Sequence, residues 1–294
     1  MHRPLRMRIC LYWNPTAGDR IPLDDITGAL GHAGHEIAGI LRQKDDAAEA
    51  LRMGVDLVVA AGGDGTVARA GRALAGGNLP MAILPLGTAN NIATSLGIAD
   101  DPMKAIEEWP NQEIVRIDVG VVTDGDGDRL FIEGVGTGLL PRGIKRGRNA
   151  ATAHADASAE VEWARDVFIS ALSELQPHHS TLRIDDEEVA GDYLLVEVLN
   201  IASVGPRLRL SGETTPADGL LSVVIAGAAD RDAIRAHLNQ SSDQHDSHAW
   251  LKSWRASRVE VAGWHEYHVD DEVRASTTGN LTIAIRPANL PVLA

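Results

Sequence analysis

Residues 1–112 read as an N-terminal α/β nucleotide-binding domain on a parallel sheet. Residues 113–294 read as a mainly antiparallel β-sandwich domain, with the last residues free to pack back on the first. Three observations predict this. Apolar runs alternate with helical segments up to about Asn111, and from Ile114 onward long β runs take over. The third is Gly62-Gly63-Asp64-Gly65-Thr66 between the apolar run 56–61 and a helical stretch, the strand, glycine turn and helix start that can receive a phosphate. A prior of roughly 150 residues per domain suits two cores in 294 residues.

In order along the chain, Ile9–Trp13 is a strand that ends in Asn14-Pro15-Thr16-Ala17-Gly18. Helices are predicted around Leu23–Ala33 and Asp46–Met53, then the strand from Asp56 and the helix from Val67. The Met81–Leu84 strand closes in Pro85-Leu86-Gly87-Thr88-Ala89-Asn90-Asn91, and helices follow near Asn91 and over Met103–Trp109. Three strands that each end in a Gly-, Thr- or Asn-rich loop bring those loops to the carboxyl edge of one parallel sheet, where open α/β sheets bind ligands. The second domain has β runs at 115–122, 130–136, 181–184, 193–200, 220–226, 258–262, 267–273 and 281–286. Helices at Ala159–Leu175 and Asp230–Leu238 interrupt them. The cleft between domains is the expected active site. Ala150–Ala159 and the polar stretch Gln240–His248 are expected to be loops.

Composition is that of an ordinary globular protein, 44% hydrophobic and 23% charged. No apolar run reaches the ~20 residues of a membrane span, and the first residues lack the apolar core of a signal peptide, so a cytoplasmic location is expected. The formal charge of −14 opposes nucleic acid and general adsorption to anionic membrane. Cys10, the only cysteine, falls in the first strand and reads as a buried thiol.

Glycines let the main chain approach an anion closely, and a lone carboxylate among them, Asp64, is suited to a metal ion. A ligand-free turn is the other reading of such a stretch. In Asp270-Asp271-Glu272, alternation along an extended segment puts Asp270 and Glu272 on one face. Crowding there raises the pKa of one carboxyl and favours a general base, whereas a solvated turn is the commoner fate of three acids in a row. Pro216-Ala217-Asp218-Gly219 also reads as a plain turn. Arg142 to Arg148 holds four positive charges in seven residues; it either faces lipid headgroups or phosphates, or is a solvated basic turn. His245, His248, His265 and His268 read as surface histidines, and Trp250 and Trp254, one helical turn apart, as packing residues.

The motifs resemble the diacylglycerol kinase catalytic-domain family, which includes bacterial soluble lipid kinases and sphingosine and ceramide kinases. The matches keep their order from Asn14-Pro-Thr-Ala-Gly18 through Gly62-Gly-Asp-Gly-Thr66 and Pro85-Leu-Gly-Thr88 to Asn200, Gly205-Pro206, Pro216-Ala-Asp-Gly219 and Asp270-Asp-Glu272. Gly-Gly-Asp-Gly-Thr alone is shared with NAD kinases and phosphofructokinases. The resemblance implies an NAD kinase/diacylglycerol kinase-like fold and a lipid kinase that uses ATP and Mg2+ to phosphorylate a lipid hydroxyl. Diacylglycerol or a related lipid is the expected acceptor, reached by transient contact with the inner face of the membrane. Apart from the resemblance, an exposed sandwich edge could pair two subunits into a homodimer, and oligomeric state is otherwise open. The resemblance places Asn14, Pro15, Thr16, Ala17 and Gly18, Gly62 to Arg69 (Gly62, Gly63, Asp64, Gly65, Thr66, Val67, Ala68, Arg69), Gly87 and Thr88 around ATP. It assigns Asp64 and Asp118 to a magnesium network, and Asp218, with main-chain oxygens of Thr215 and Leu220, to a structural magnesium. Glu272 becomes the proton acceptor, with Asp270 orienting it or exchanging roles with it. Asp271, Asn91, Arg69 and Leu41 depart from the family's usual residues. An NAD kinase-like small-molecule kinase and a non-catalytic nucleotide- or lipid-binding relative are the alternatives.

Overall fold

Buried on both faces, the runs Leu57–Gly62 and Met81–Pro85 can only be central strands of a covered sheet. The structure, a computed structural model, describes residues 6–17, 21–150, 156–212, 214–240 and 251–294. Its chain forms two units: residues up to Ile117 with Ala288–Ala294, and Asp118–Pro287.

In the first unit β1 (Arg8–Trp13), α1 (Leu23–His32), β2 (Glu36–Arg42), a 3-10 turn (Ala47–Arg52), β3 (Leu57–Gly62), α2 (Asp64–Leu74), β4 (Met81–Pro85), α3 (Asn91–Ser95) and α4 (Pro102–Glu108) follow one another. The strands lie in the order β2-β1-β3-β4 and all pair in parallel. Trp13 pairs with Ala61 and Gly62 with Pro85, so the strands carrying the three predicted loops end level with one another. β2 was not legible in the sequence: it is an edge strand with a single neighbour, interrupted by Gly39, and pairing with β1 supplies what its own pattern lacks. The predicted helix at Asp46–Met53 is a 3-10 turn, capped by the Asp46 carboxylate on the Ala48 N–H. Cys10 is buried in β1, and burial pushes its thiol up to about 11.

The second unit begins within β5 (Ile114–Asp124), which forms a hairpin with β6 (Gly127–Phe131). Then come β7 (Gly134–Gly138), α5 (Leu139–Asn149), α6 (Ala157–Glu174), β8 (His178–Ile184), β9 (Glu187–Leu199) and the short β10 (Ser203–Val204) and β11 (Leu208–Arg209). β12 (Leu221–Gly227), α7 (Arg231–Asn239), β13 (Lys252–Ala256), β14 (Arg258–Ala262), β15 (Glu266–Val269), β16 (Glu272–Ala275) and β17 (Leu281–Leu293) as far as Pro287 complete it. Within this unit the pairings are antiparallel, and β9 is the hub, paired with β8 along its first half and with β7 and β12 along its second. One core of Phe131, Val196, Val223, Trp264, Tyr267 and their neighbours is gathered by the strands. A second sits where Leu139, Leu140, Phe168, Leu172 and Ile234 of α5, α6 and α7 meet Leu194 and Val224.

Several sequence expectations change here. The run 130–136 is two strands, because the N–H groups of Ile132 and Glu133 leave the ladder to bond the Asp270 carboxylate. The run 267–273 is a hairpin turning at Asp270-Asp271, with Val269 opposite Glu272, so Asp270 and Glu272 do not share one face of an extended strand. Asp270, not Asp271, takes the left-handed conformation at φ 50, so the side chain at 271 meets no such strain. The basic stretch 142–148 is helical, within α5. Trp254 lies in β13 rather than on a helix, while Trp250, His245 and His248 lie outside the described residues. Among the described residues no helix is long and apolar enough to cross a membrane.

The loops after β3 and β4 touch glycine to glycine: a Cβ on Gly87 would lie 2.3 Å from the Gly63 Cα and 2.9 Å from Asn90 Oδ1. Gly87→Ala should therefore lower stability by about 1–3 kcal/mol. Gly28→Ala, in open space on α1, should raise it by about 0.5–1 kcal/mol. Urea denaturation of both variants checks the pair.

Candidate functional site

In the first unit the candidate site is built on main chain. Gly63 caps α2 without a side-chain bond, and the Thr66 and Val67 N–H groups both bond its carbonyl, at 2.9 and 3.1 Å. The helix N-terminus thus opens directly onto the glycine turn, where its dipole favours an anion. Leu86 N–H donates to Gly62 O at 3.1 Å, which locks the second loop to the first. Asn90 shapes that loop from a left-handed backbone at φ 52: its amide accepts from Gly87 N–H at 2.9 Å and donates to Gly87 O at 2.8 Å. Asp64 Oδ1 accepts the Ile92 N–H at 3.0 Å and so ties the turn to the start of α3.

The third loop is pinned by Asn14, whose N–H donates to Ala61 O and whose side-chain oxygen accepts from the N–H and hydroxyl of Thr16. Pro15 and Thr16 are exposed, Ala17 is buried, and Gly18 lies outside the described residues. Thr66, Val67 and Ala68 turn their side chains inward. The Thr66 hydroxyl is buried with no partner among the described residues. Arg69 donates to Gln43 O at 2.9 Å, so that guanidinium nitrogen braces α2 against the segment after β2. Main-chain N–H groups at a helix start and the hard carboxylate oxygens of Asp64 fit a nucleotide phosphate with its divalent cation.

In the second unit a chain of buried hydrogen bonds joins residues far apart in sequence. Asn200 donates through its amide to Asp118 O and to Ile132 O, both at 3.0 Å, while its N–H bonds Glu133 O at 2.8 Å. Asp270 accepts the Glu133 N–H at 2.8 Å and the Ile132 N–H at 3.0 Å, and its own N–H bonds Gly134 O. His268, behind it, donates from Nδ1 to Asp270 O at 2.8 Å and meets Glu197 Oε2 through Nε2, also at 2.8 Å. Gly136 makes room for that carboxylate: a Cβ there would lie 2.1 Å from it.

Glu197 and His268 are fully buried and were missed as site residues; His268 is no surface histidine. The signal was Glu197 itself, a lone charge in the apolar run Tyr193–Leu199. Burial pushes the Glu197 carboxyl up. Burial opposes the charge on His268, but the Glu197 charge and hydrogen bond hold the imidazole above its ordinary value. Both groups of the pair are thus held toward their protonated forms.

Asp118 is buried; its carboxylate accepts the Gly219 N–H at 2.7 Å and its N–H bonds Pro216 O at 2.7 Å, which fastens the loop carrying Asp218. Asp218 accepts from Thr215 Oγ1 and from the Leu220 N–H. The Arg255 guanidinium, which sequence reading did not flag, donates to the same Asp218 carboxylate at 2.5 Å. Glu272 is half-buried and ion-paired with Arg274. Three of the four cations of α5 have partners: Lys145 pairs with Glu266, Arg146 with Glu174 at 2.8 Å, and Arg148 donates to Asp271 O at 2.6 Å. Among the described residues no group of three or more His, Cys, Asp or Glu side chains is gathered to hold a metal.

A glycine-turn α/β unit joined to an antiparallel β unit defines a class of kinase-like proteins. Comparison with known proteins narrows the class. Residues 8–122 match the diacylglycerol kinase catalytic domain model, and residues 146–294 match the YegS C-terminal NAD kinase beta sandwich-like domain. The chain is 32% identical over 234 residues to "Probable lipid kinase YegS-like" of Citrobacter koseri, covering 73% of each. It is 28% identical to "Diacylglycerol kinase" of Mycobacterium tuberculosis, over 70% of this chain and 64% of that protein, less than two thirds of its length. A solved structure of a diacylglycerol kinase from Bacillus anthracis superposes with a TM-score of 0.70 at 18% identity, over 97% of this chain and 96% of that one, and shares its fold. This chain belongs to the YegS/diacylglycerol kinase-like family of lipid kinases.

The raised proton affinity of the buried pair has a measurable sign. In the unfolded chain the histidine loses its proton near pH 6.5, while the folded pair retains its own to higher pH. The pair's contribution is fully present below about pH 6.5 and is lost as pH rises through the folded value, at up to about 1.4 kcal/mol per pH unit. Urea unfolding between about pH 6.5 and 9 should show a steeper loss for the wild type than for Glu197→Gln. Equal slopes would contradict that raised affinity.

Proposed function

We propose that this protein transfers the γ-phosphoryl group of ATP, with magnesium, to the hydroxyl of a lipid, diacylglycerol or a related acceptor. The observation that carries the nucleotide half is the Gly63–Gly87 contact at the N-terminus of α2, which supports a main-chain cradle for phosphate. A magnesium ion bound with the nucleotide would neutralise charge that develops during transfer. Asp64 is the carboxylate proposed to hold it in the first unit, and Asp118 is the second candidate.

Loop main chain from Asn14 to Ala17, from Gly62 to Arg69 and at Gly87 and Thr88 would orient the nucleotide. Glu272 is the proposed acceptor of the lipid hydroxyl proton, on a turn that Asp270 fixes through the Ile132 and Glu133 N–H groups. Asp270 then acts by positioning the turn. Membership in a lipid kinase family supports the lipid as acceptor over a soluble one. The family and the absence of a membrane-spanning helix among the described residues support a protein that meets its lipid at a membrane surface.

A second reading is a nucleotide- or lipid-binding relative without transfer. The engagement of Asp270 by two main-chain N–H groups and of Glu272 by Arg274 favours it. Labelled γ-phosphate from ATP, offered with magnesium to diacylglycerol, monoacylglycerol, sphingosine, ceramide and phosphatidylglycerol in mixed micelles, separates the two. Labelled lipid is expected, reduced by about 10²-fold or more in Glu272→Gln. ATP binding with no labelled product from any acceptor, NAD included, selects the second reading.

A further inference from the structure

We infer that the Arg255 guanidinium takes the place of a divalent cation at the Thr215–Leu220 loop, so that this chain clamps the loop with a side chain rather than with a metal. The expected cation ligands at this loop were the Asp218 carboxylate and main-chain oxygens, a hard oxygen set suited to magnesium. Arg255 Nη2 lies 2.5 Å from Asp218 Oδ2 and 3.4 Å from Leu220 O, two members of that set. Its Nη1 donates to Ser222 Oγ at 2.8 Å.

The strand register puts it there. Arg255 of β13 stands directly opposite Ser222 of β12, two residues beyond Leu220, so the side chain reaches the loop from a fixed strand. Other groups of the loop bond within it or to Asp118 of β5. Thr215 Oγ1 donates to Asp218 Oδ2 at 2.7 Å, Leu220 N–H to Oδ1 at 3.0 Å, and Gly219 N–H to Asp118 at 2.7 Å. Ser222 Oγ in turn accepts from Thr214 at 2.7 Å.

Magnesium demands a near-octahedral shell of oxygens at about 2.0–2.1 Å. The guanidinium takes lone pairs of Asp218 Oδ2 and the Leu220 carbonyl, Oδ1 already accepts the Leu220 N–H, and a second cation at that range would be repelled, so the loop competes poorly for such a shell. A planar guanidinium with five donors binds carboxylate and carbonyl together without needing an octahedral shell. The Asp218 residues thus do not fit the structural magnesium that the family resemblance implies.

The inference is independent of the transfer reaction and is tested without it. Thermal unfolding of the full chain, free of nucleotide, is followed with chelator and with millimolar magnesium or calcium at matched ionic strength, alongside metal content after gel filtration. The wild type should carry no metal whose retention depends on Asp218, and chelator should leave its melting temperature unchanged. Arg255→Ala should melt lower and regain the loss on adding magnesium or calcium, and Asp218→Asn in that background should abolish the recovery. Arg255→Gln, whose amide can still donate to Ser222, is the milder variant if the alanine does not fold. Metal retained by the wild type and lost in Asp218→Asn would overturn the inference. So would an Arg255 variant as stable as the wild type, or one whose loss no divalent cation repairs, since the guanidinium would then be an ordinary surface ion pair.

Discussion

Gly63 packs directly against Gly87 in the first unit, and the candidate nucleotide site depends on that contact. With no Cβ on either side, the turn after β3 and the turn after β4 can sit one on the other, joined by the Leu86–Gly62 bond. That contact leaves the start of α2 facing the turn and lets Asn90 close the second loop with two bonds to Gly87. A phosphate cradle made of N–H groups needs no charged side chain of its own, so a net charge of −14 does not oppose the candidate site.

The second unit relies on side chains where the first relies on backbone. Asn200, Asp270, His268 and Glu197 form one hydrogen-bonded path that runs from the main chain of Asp118 to the middle of the hub strand β9. Such a path is costly when half satisfied, because each buried polar group that loses its partner bears its full desolvation penalty. Glu197 Oε1 and Asn200 Oδ1 have no partner among the described residues, and the bonds that are made fix the Asp270-Asp271 turn, and with it the start of β16 where Glu272 stands. Arg148 of α5 fastens the same turn from outside through Asp271 O.

The sequence was legible where a pattern repeats or a turn has a specific chemistry. β1, β3, β4, α1, α2, α6 and α7 follow from apolar periodicity, and the level ends of β1, β3 and β4 from the Gly-, Thr- and Asn-rich segments after them. What stayed hidden depends on partners distant in the chain. β2 becomes a strand because β1 pairs with it. The break between β6 and β7 exists because a carboxylate more than a hundred positions later takes two N–H groups. The same distance explains the site: Asp270 and Glu272 could be named from their motif, but not that one is spent on main chain and the other on Arg274. Nothing local marked Arg255 as the partner of Asp218, since only the pairing of β12 with β13 brings them together.

The central claim is that nucleotide binds on the main chain of the glycine turns in the first unit. Amide hydrogen exchange with and without magnesium and ATP tests it most directly, because it reads the N–H groups themselves. Slowed exchange confined to Asn14–Ala17, Gly63–Arg69 and Gly87–Asn91 is the predicted result. Slowed exchange only in the second unit, with those turns unchanged, would contradict it.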